Sequence, residues 1–256
     1  MVTIHHSPED IMQSVQRIER KFFILPKNIG YAYNLLRLVC RMDREYPLEQ
    51  INSLYFDTDD LEQYERSSSG ELRKDKIRIR WYHQIEDYQQ TVPVFVELKS
   101  REGFTGSKQR KLLSVPVRNL AIGNLHEGII ERNKLNDIIF SFGHYLKMPV
   151  HPIIVVSYWR YRLIEPMSGM RVCLDYDVQS TIIDRSLGFG ETELKLPGAV
   201  IEVKGNEIEL PLTLRQLQLL DLDWSRFSKY SSCLDAHMTT PGAFARLGPS
   251  GKILEI

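Results

Sequence analysis

Six stretches of this sequence alternate charged and apolar residues with a period of two, and the charges are mostly Arg and Lys. Successive side chains of a strand point to opposite faces, so each stretch has a charged face and an apolar one. In RIERKF the charged face carries Arg17, Glu19 and Lys21, and in DKIRIRW it carries Lys76, Arg78 and Arg80. VFVELKSR sets Phe95, Glu97, Lys99 and Arg101 together, opposite Val94, Val96 and Leu98. SYWRYRL opposes Tyr158, Arg160 and Arg162 to Trp159, Tyr161 and Leu163. RVCLDYD groups Arg171, Cys173, Asp175 and Asp177, and VIEVKG pairs Glu202 with Lys204. A sheet with one face on a core and one in water accounts for any single strand of this kind. Six such strands dominated by cations call for something more. Helices must cover the apolar faces, and a sheet that then curls into a barrel turns its charged faces inward. Buried cations are costly unless anions neutralise them, so a lumen of Arg and Lys with a few carboxylates implies a polyanionic ligand. Arg offers forked donors matched to phosphate oxygens, and Lys a mobile point charge. The carboxylates are then candidates to hold a divalent cation through hard oxygen ligands.

Composition constrains the alternatives. The 256 residues carry 33 Lys and Arg against 33 Asp and Glu, and the formal net charge is zero. That argues against a nucleic-acid partner, which calls for a basic domain. Hydrophobic content of 43% suits a packed globular chain rather than a disordered one. No apolar run reaches the ~18 residues of a membrane-spanning helix, and the N-terminus lacks a secretory h-region. Cys40, Cys173 and Cys233 show neither a disulfide framework nor metal spacing, so a reducing, cytoplasmic setting is expected.

Along the chain, strands are expected over 17–25, 51–58, 75–83, 92–100, 107–116, 151–165, 170–178 and 199–205. Helices are expected over 29–44, 59–67 and 210–222, with 123–147 mainly helical. The expected organisation is a polar lead-in over 1–16, one α+β domain over 17–235, and a loosely packed tail over 236–256. Lys76 and Arg101 stand near strand ends, where solvated side chains are the plain expectation. His83, His144 and His151 lack ligand spacing and read as structural or surface residues. Cys173 has no His partner in the sequence, which speaks against a nucleophile. A Gly-rich phosphate loop is absent.

The ordered set of motifs resembles the polyphosphate polymerase (vacuolar transporter chaperone, VTC) domain of the triphosphate tunnel metalloenzyme, or CYTH-like, superfamily. The likeness runs over residues 17–232 through RIERKF, LYFDTDDLEQYERS, KIRIRWY, FVELKSR, GFTGSKQRK, SYWRYRL, MRVCLDYD, VIEVKG and FSKY. It implies an antiparallel β-barrel tunnel with helices packed on the outside. It also implies transfer of the ATP γ-phosphoryl group to a growing polyphosphate chain with Mn²⁺ or Mg²⁺. A tunnel open at both ends would let a linear product thread outward.

By position, the resemblance assigns Lys21, Arg78, Arg80, Lys99 and Arg160 to the reacting phosphates. It assigns Arg66, Tyr158, Arg171, Lys204, Ser228 and Lys229 to phosphate binding, together with Lys111 or the nearby Lys108. Glu202 matches the metal-binding glutamate. Glu19 and Glu97 are further metal candidates, with salt-bridge roles as the alternative. Related triphosphatases and cyclases carry E-x-E-x-K on the first strand, where this chain has Arg17 in place of the first acid, and that favours the polymerase branch. An inorganic tri- or polyphosphatase and a non-catalytic polyphosphate-binding module are the alternatives. Eukaryotic polymerases of the family work with an SPX domain and membrane-spanning partners; this chain is expected to have room for neither, which leaves its regulation and any coupling to a membrane partner open.

Overall fold

The computed structural model describes residues 18–82, 91–102, 105–188, 193–206, 209–220, 227–239, 246–247 and 253–254. The expected lead-in, Arg17, His83 and most of the tail lie outside them. The elements are β1 (Ile18–Ile24), α1 (Ile29–Val39), β2 (Arg41–Met42), β3 (Leu48–Asp57), α2 (Glu62–Ser68), β4 (Arg73–Trp81), β5 (Thr91–Glu102) and β6 (Thr105–Pro116). They continue with α3 (Arg132–Ser141), β7 (His151–Ile164), β8 (Arg171–Ile182), β9 (Glu193–Lys195), β10 (Ala199–Gly205) and α4 (Lys229–Met238). A small separate ladder pairs β11 (Arg246–Leu247) with β12 (Ile253–Leu254).

The main sheet is antiparallel, in the order β1-β10-β8-β7-β3-β4-β5-β6, with β2 added to β7 and β9 to β8. The architecture is therefore α+β with the charged faces inward. Among the described residues no ladder joins β1 to β6, so the expected barrel is a curled sheet not closed by hydrogen bonds. The curl is nonetheless tight. Lys99 on β5 donates to Glu19 on β1 at 2.9 Å, across the interior.

Two outer cores enforce the curl. Leu54, Phe56, Ile77, Ile79, Trp81, Val94, Val96 and Leu98 pack under Leu135, Ile138 and Ile139 of α3. Phe22, Ile24, Val172, Leu174, Ile201 and Val203 pack under Ala32, Leu35 and Leu36 of α1, with Leu214 and Leu217 alongside. These are the apolar strand faces read from the alternation. Burying them is the main driving force for the fold.

Several elements differ from expectation for local reasons. Helix α1 stops at Val39, not at residue 44, because Cys40 turns extended and Arg41–Met42 pair with Leu163 and Ile164 of β7. The stretch 123–147 is broken by positive φ at Gly128 and Ile129, leaving a 3₁₀ turn over Ile122–Glu127 and α3. Residues Leu212–Leu220 form a 3₁₀ helix rather than an α-helix. Its i, i+3 spacing stacks Leu214 and Leu217 on one buried face.

Helix α4 was not foreseen. It is buried on nearly all sides and packs inside the curl, with Cys233, Leu234 and Ala236 against Ile154, Val156, Val178 and Val200. On β1, β7, β8 and β10 the inner face is thus divided along its length. One half carries charges, and the other, with Phe23, Val156, Val178 and Val200, is apolar and filled by α4. Among the described residues, α4 occupies this end of the interior.

Candidate functional site

The charged half of the interior is built from alternate residues of seven strands and from Lys229 at the start of α4. Its carboxylates are Glu19 on β1, Glu97 on β5, Asp175 on β8 and Glu202 on β10. Against them stand Lys21, Lys76, Arg78, Arg80, Lys99, Lys108, Arg160, Lys204 and Lys229. Among the described residues cations therefore outnumber carboxylates here, in a chain whose overall net charge is zero.

Glu202 is the most connected carboxylate. Arg160 Nη2 donates to it at 2.9 Å, Lys204 Nζ at 3.0 Å and Lys229 Nζ at 3.3 Å, while Lys21 stands 3.8 Å away. Burial opposes its ionisation, but Lys204, Lys229, Arg160 and Lys21 outweigh it and hold the carboxyl well below the usual range. Glu19 is held down in the same way against burial, by Lys99, Lys204 and Lys21. Arg160 forks onto Asp175, with Nε and Nη2 each donating at 2.6 Å. Lys229 closes on Asp175 at 2.5 Å and lies over the Tyr158 ring, 4.6 Å from its centroid. On the other wall, Arg78 holds Glu97 through Nε at 2.8 Å, and Lys108 pairs with the same carboxylate. Burial pushes the Lys108 ammonium down to about 7 despite Glu97.

Arg80 differs. Its hydrogen bonds among the described residues run to hydroxyls, Ser53 Oγ at 3.0 Å and Tyr158 Oη at 3.3 Å. Cations satisfied by neutral oxygens, rather than by carboxylates, can take on an anion without first losing an ion pair.

The structure brings together Lys21, Arg78, Arg80, Lys99, Lys108, Tyr158, Arg160, Lys204, Ser228 and Lys229, along with Glu19, Glu97 and Glu202. Three of the expected residues stand apart. Arg66 lies on α2, paired with Glu62 and Glu71. Arg171 is exposed at the strand end beside Asp43, whose carboxyl it helps hold low. Lys111 is exposed and sits opposite Val96, on the outer face of the sheet, whereas Lys108 sits opposite Lys99 on the inner face. Register thus separates the two lysines that sequence spacing left as alternatives.

Sequence reading passed over three contributors. Asp175 had been placed on the charged face but given no role. Arg110 lies opposite Glu97 in register, with its guanidinium 4.9 Å from the Phe95 centroid; period two counted back from Leu112 would have found it. Lys76 is not a solvated strand-end lysine. Its ammonium donates to Ser67 Oγ at 2.9 Å and Ser228 Oγ at 2.7 Å inside the site.

Helix α4 is held in place by polar anchors at its inner turns. Tyr230 Oη donates to the buried Asp57 Oδ2 at 2.6 Å and stacks on Tyr55, whose hydroxyl accepts from Arg78. Asp57 also accepts from the Gln63 and Tyr64 amides and so caps α2. His151 bridges Asp184 at 2.8 Å and Asp59 at 3.3 Å, a structural role away from the charged interior. Cys173 is buried with its thiol pushed up by that burial, which does not suit a nucleophile.

The resemblance implies a divalent cation, and the donor set suits one. Glu19 and Glu202 share two lysines: Lys204 lies 3.5 and 3.0 Å from them, and Lys21 3.9 and 3.8 Å. No three His, Cys, Asp or Glu side chains among the described residues form a cation cage of their own. Two carboxylates completed by substrate phosphates is the arrangement Mg²⁺ takes in nucleotide sites. Among the described residues no helix is long and apolar enough to cross a membrane.

The family model of the VTC domain matches residues 7–237. The solved structure of a candidate adenylate cyclase from Bacillus halodurans is 18% identical, with a TM-score of 0.50, covering 82% of this chain and 91% of that one. A candidate adenylyl cyclase from Hippeastrum with a dominant triphosphatase activity is 15% identical, with a TM-score of 0.46, covering 89% of this chain and 98% of that one. At 18% identity the likeness to the Bacillus halodurans structure bears on the fold alone. No curated protein matches the sequence.

Proposed function

The chain belongs to the VTC domain family, and from that premise we propose that it is a metal-dependent polyphosphate polymerase of the triphosphate tunnel type. The observation that carries the reading is the inward excess of cations over carboxylates among the described residues. ATP binds with its phosphates along the charged half, where Arg78, Arg80, Lys99 and Arg160 spread over their oxygens. The terminal oxygen of the acceptor chain attacks the γ-phosphorus, the bond to the bridging β–γ oxygen breaks, and ADP leaves. That nucleophile is already anionic, so no general base is required. Phosphoryl transfer depends on positioning and charge neutralisation, and cations fixed by buried carboxylates supply both without reorganising. Glu202 and Glu19 would hold Mn²⁺ or Mg²⁺ against the phosphates, where the ion supplies neutralisation of the developing charge.

One observation favours a second reading. With α4 filling the apolar half, a growing product cannot thread past it and would leave by the mouth through which it entered. A tri- or polyphosphatase, in which water replaces the acceptor phosphate, has no such constraint. Incubating the protein with ATP and Mn²⁺, with and without a short polyphosphate primer, separates the two. A ladder of lengthening chains, abolished by Lys21→Ala and Glu202→Ala, establishes the polymerase. Orthophosphate alone selects the hydrolase, and tight polyphosphate binding without turnover leaves a binding module.

A further inference from the structure

The other lysines of the charged interior each have a carboxylate in reach: Lys21 and Lys204 at Glu19 and Glu202, Lys99 at Glu19, Lys108 at Glu97, Lys229 at Asp175. Lys76 has none among the described residues. Its ammonium rests on two hydroxyls, Ser67 Oγ of α2 and Ser228 Oγ at the start of α4. Burial, and after it the neighbouring cations Lys21, Lys99, Lys74 and Arg78, push its ammonium well below the ordinary range.

The hydroxyls are arranged for an incoming acceptor. Ser228 Oγ accepts from Lys76 and from the Ser231 amide at 3.3 Å, and lies 3.2 Å from the Ser231 hydroxyl. Lys76 and the Ser231 amide suffice to fill its two lone pairs, so its own hydrogen, which otherwise turns to the Ser231 hydroxyl, can be donated to an incoming phosphate oxygen. Ser67 Oγ likewise accepts from Lys76. An ammonium and two hydroxyl donors thus converge at the point where the body of α4 ends the charged half of the interior.

We propose that Lys76, Ser67 and Ser228 form a subsite for the terminal phosphate of a linear phosphate chain entering end-on. The inference rests on the phosphate-binding reading of the interior and adds to it which part of the chain is recognised. Two features select an end over an internal unit. A terminal phosphate gains a second charge with a pKa near ~6, as phosphate monoesters do, which suits a cation lacking a counter-ion. The chain also cannot continue past this point, because Tyr230, Cys233 and Leu234 fill the space beyond.

The test compares linear tripolyphosphate, which has ends, with cyclic trimetaphosphate, which has none. Both are titrated calorimetrically in the presence of a chelator so that no turnover intervenes. Wild-type protein is expected to bind the linear probe at least about tenfold more tightly, the scale of one lost charge-assisted hydrogen bond. Lys76→Met should remove most of that preference, weakening the linear probe while leaving the cyclic one little changed. Lys76→Arg should retain it. Because Lys76→Met also removes a buried cation without a carboxylate, its unliganded melting temperature should hold or rise, which separates lost recognition from lost folding. Equal weakening of both probes, or an unchanged preference in Lys76→Met, overturns the subsite alone. Failure of the wild-type protein to bind tripolyphosphate at all overturns the functional reading and the subsite with it.

Discussion

Arg160 and Arg80 are both buried arginines of the interior, yet they differ in what their removal leaves behind. Arg160 neutralises Asp175 and Glu202. Arg160→Met strands those carboxylates with lysines alone, and breaking a buried pair in this way costs about 3–5 kcal/mol. Urea unfolding should show a midpoint lowered accordingly. Arg80 rests on hydroxyls, so Arg80→Met should change the urea midpoint little while weakening tripolyphosphate binding. An equal stability loss in the two variants would refute the distinction. Lys108 adds a pH dependence. Its ammonium, pushed down to about 7, is the form that meets phosphate, so binding takes up a proton once pH exceeds that value. Tripolyphosphate affinity should therefore fall more steeply from pH 7 to 9 in the wild type than in Lys108→Met. The unliganded fold has the opposite slope. The unfolded chain keeps this proton to roughly 10.4, so Lys108 makes stability rise with pH across that window. A steeper stability slope in Lys108→Met would contradict this account.

At the scale of elements, the strands were legible and α4 was not, for one physical reason. Period two shows which residues share a face, and six charged strands were enough to locate the inner surface and most of the cations on it. The same period was unable to choose between Lys108 and Lys111, because that depends on the pairing of β5 with β6. Helix boundaries failed where tertiary pairing overrode local pattern, as at Cys40, where β2 takes over from α1. Helix α4 has no amphipathic stripe to detect, since it is enclosed on nearly every side. Its one local signal is the Ser228 cap, whose side chain accepts from the Ser231 amide. What fixes α4 is long-range, the bond from Tyr230 to Asp57. Tyr230→Phe keeps the ring on Tyr55 but leaves Asp57 short of a donor, at a cost of about 1–3 kcal/mol. Thermal unfolding should show that loss. Because Ser228 and Lys229 begin the same helix, tripolyphosphate affinity should fall with it. An unaltered affinity would mean that the cap and the interior strands, not the Asp57 anchor, hold those two residues in place.

The whole molecule is electrically neutral, yet it concentrates cations inside and leaves the balancing acids elsewhere. Such a distribution adds repulsion to the cost of burial: burial first, and then neighbouring cations, push Lys21, Lys76 and Lys108 toward losing their protons. A bound polyanion relieves it. Any ligand that binds only the folded state raises stability by RT ln(1 + [L]/Kd), about 2.7 kcal/mol at a hundredfold excess over Kd. For a protein of this size that corresponds to a melting shift of roughly 5–10 °C. Tripolyphosphate should produce such a shift without divalent metal, and trimetaphosphate a smaller one. Added NaCl should act in two ways that an exposed patch would not show together. It should weaken the ligand-induced shift by screening the approach of the anion, and it should leave the ion pairs of Asp175 and Glu202 intact, since buried pairs are screened far less. The unliganded melting temperature should therefore change little between low and moderate salt while the tripolyphosphate shift shrinks. A ligand shift that persists unchanged in high salt would indicate that the anion is held by shape and hydrogen bonding rather than by the inward charge.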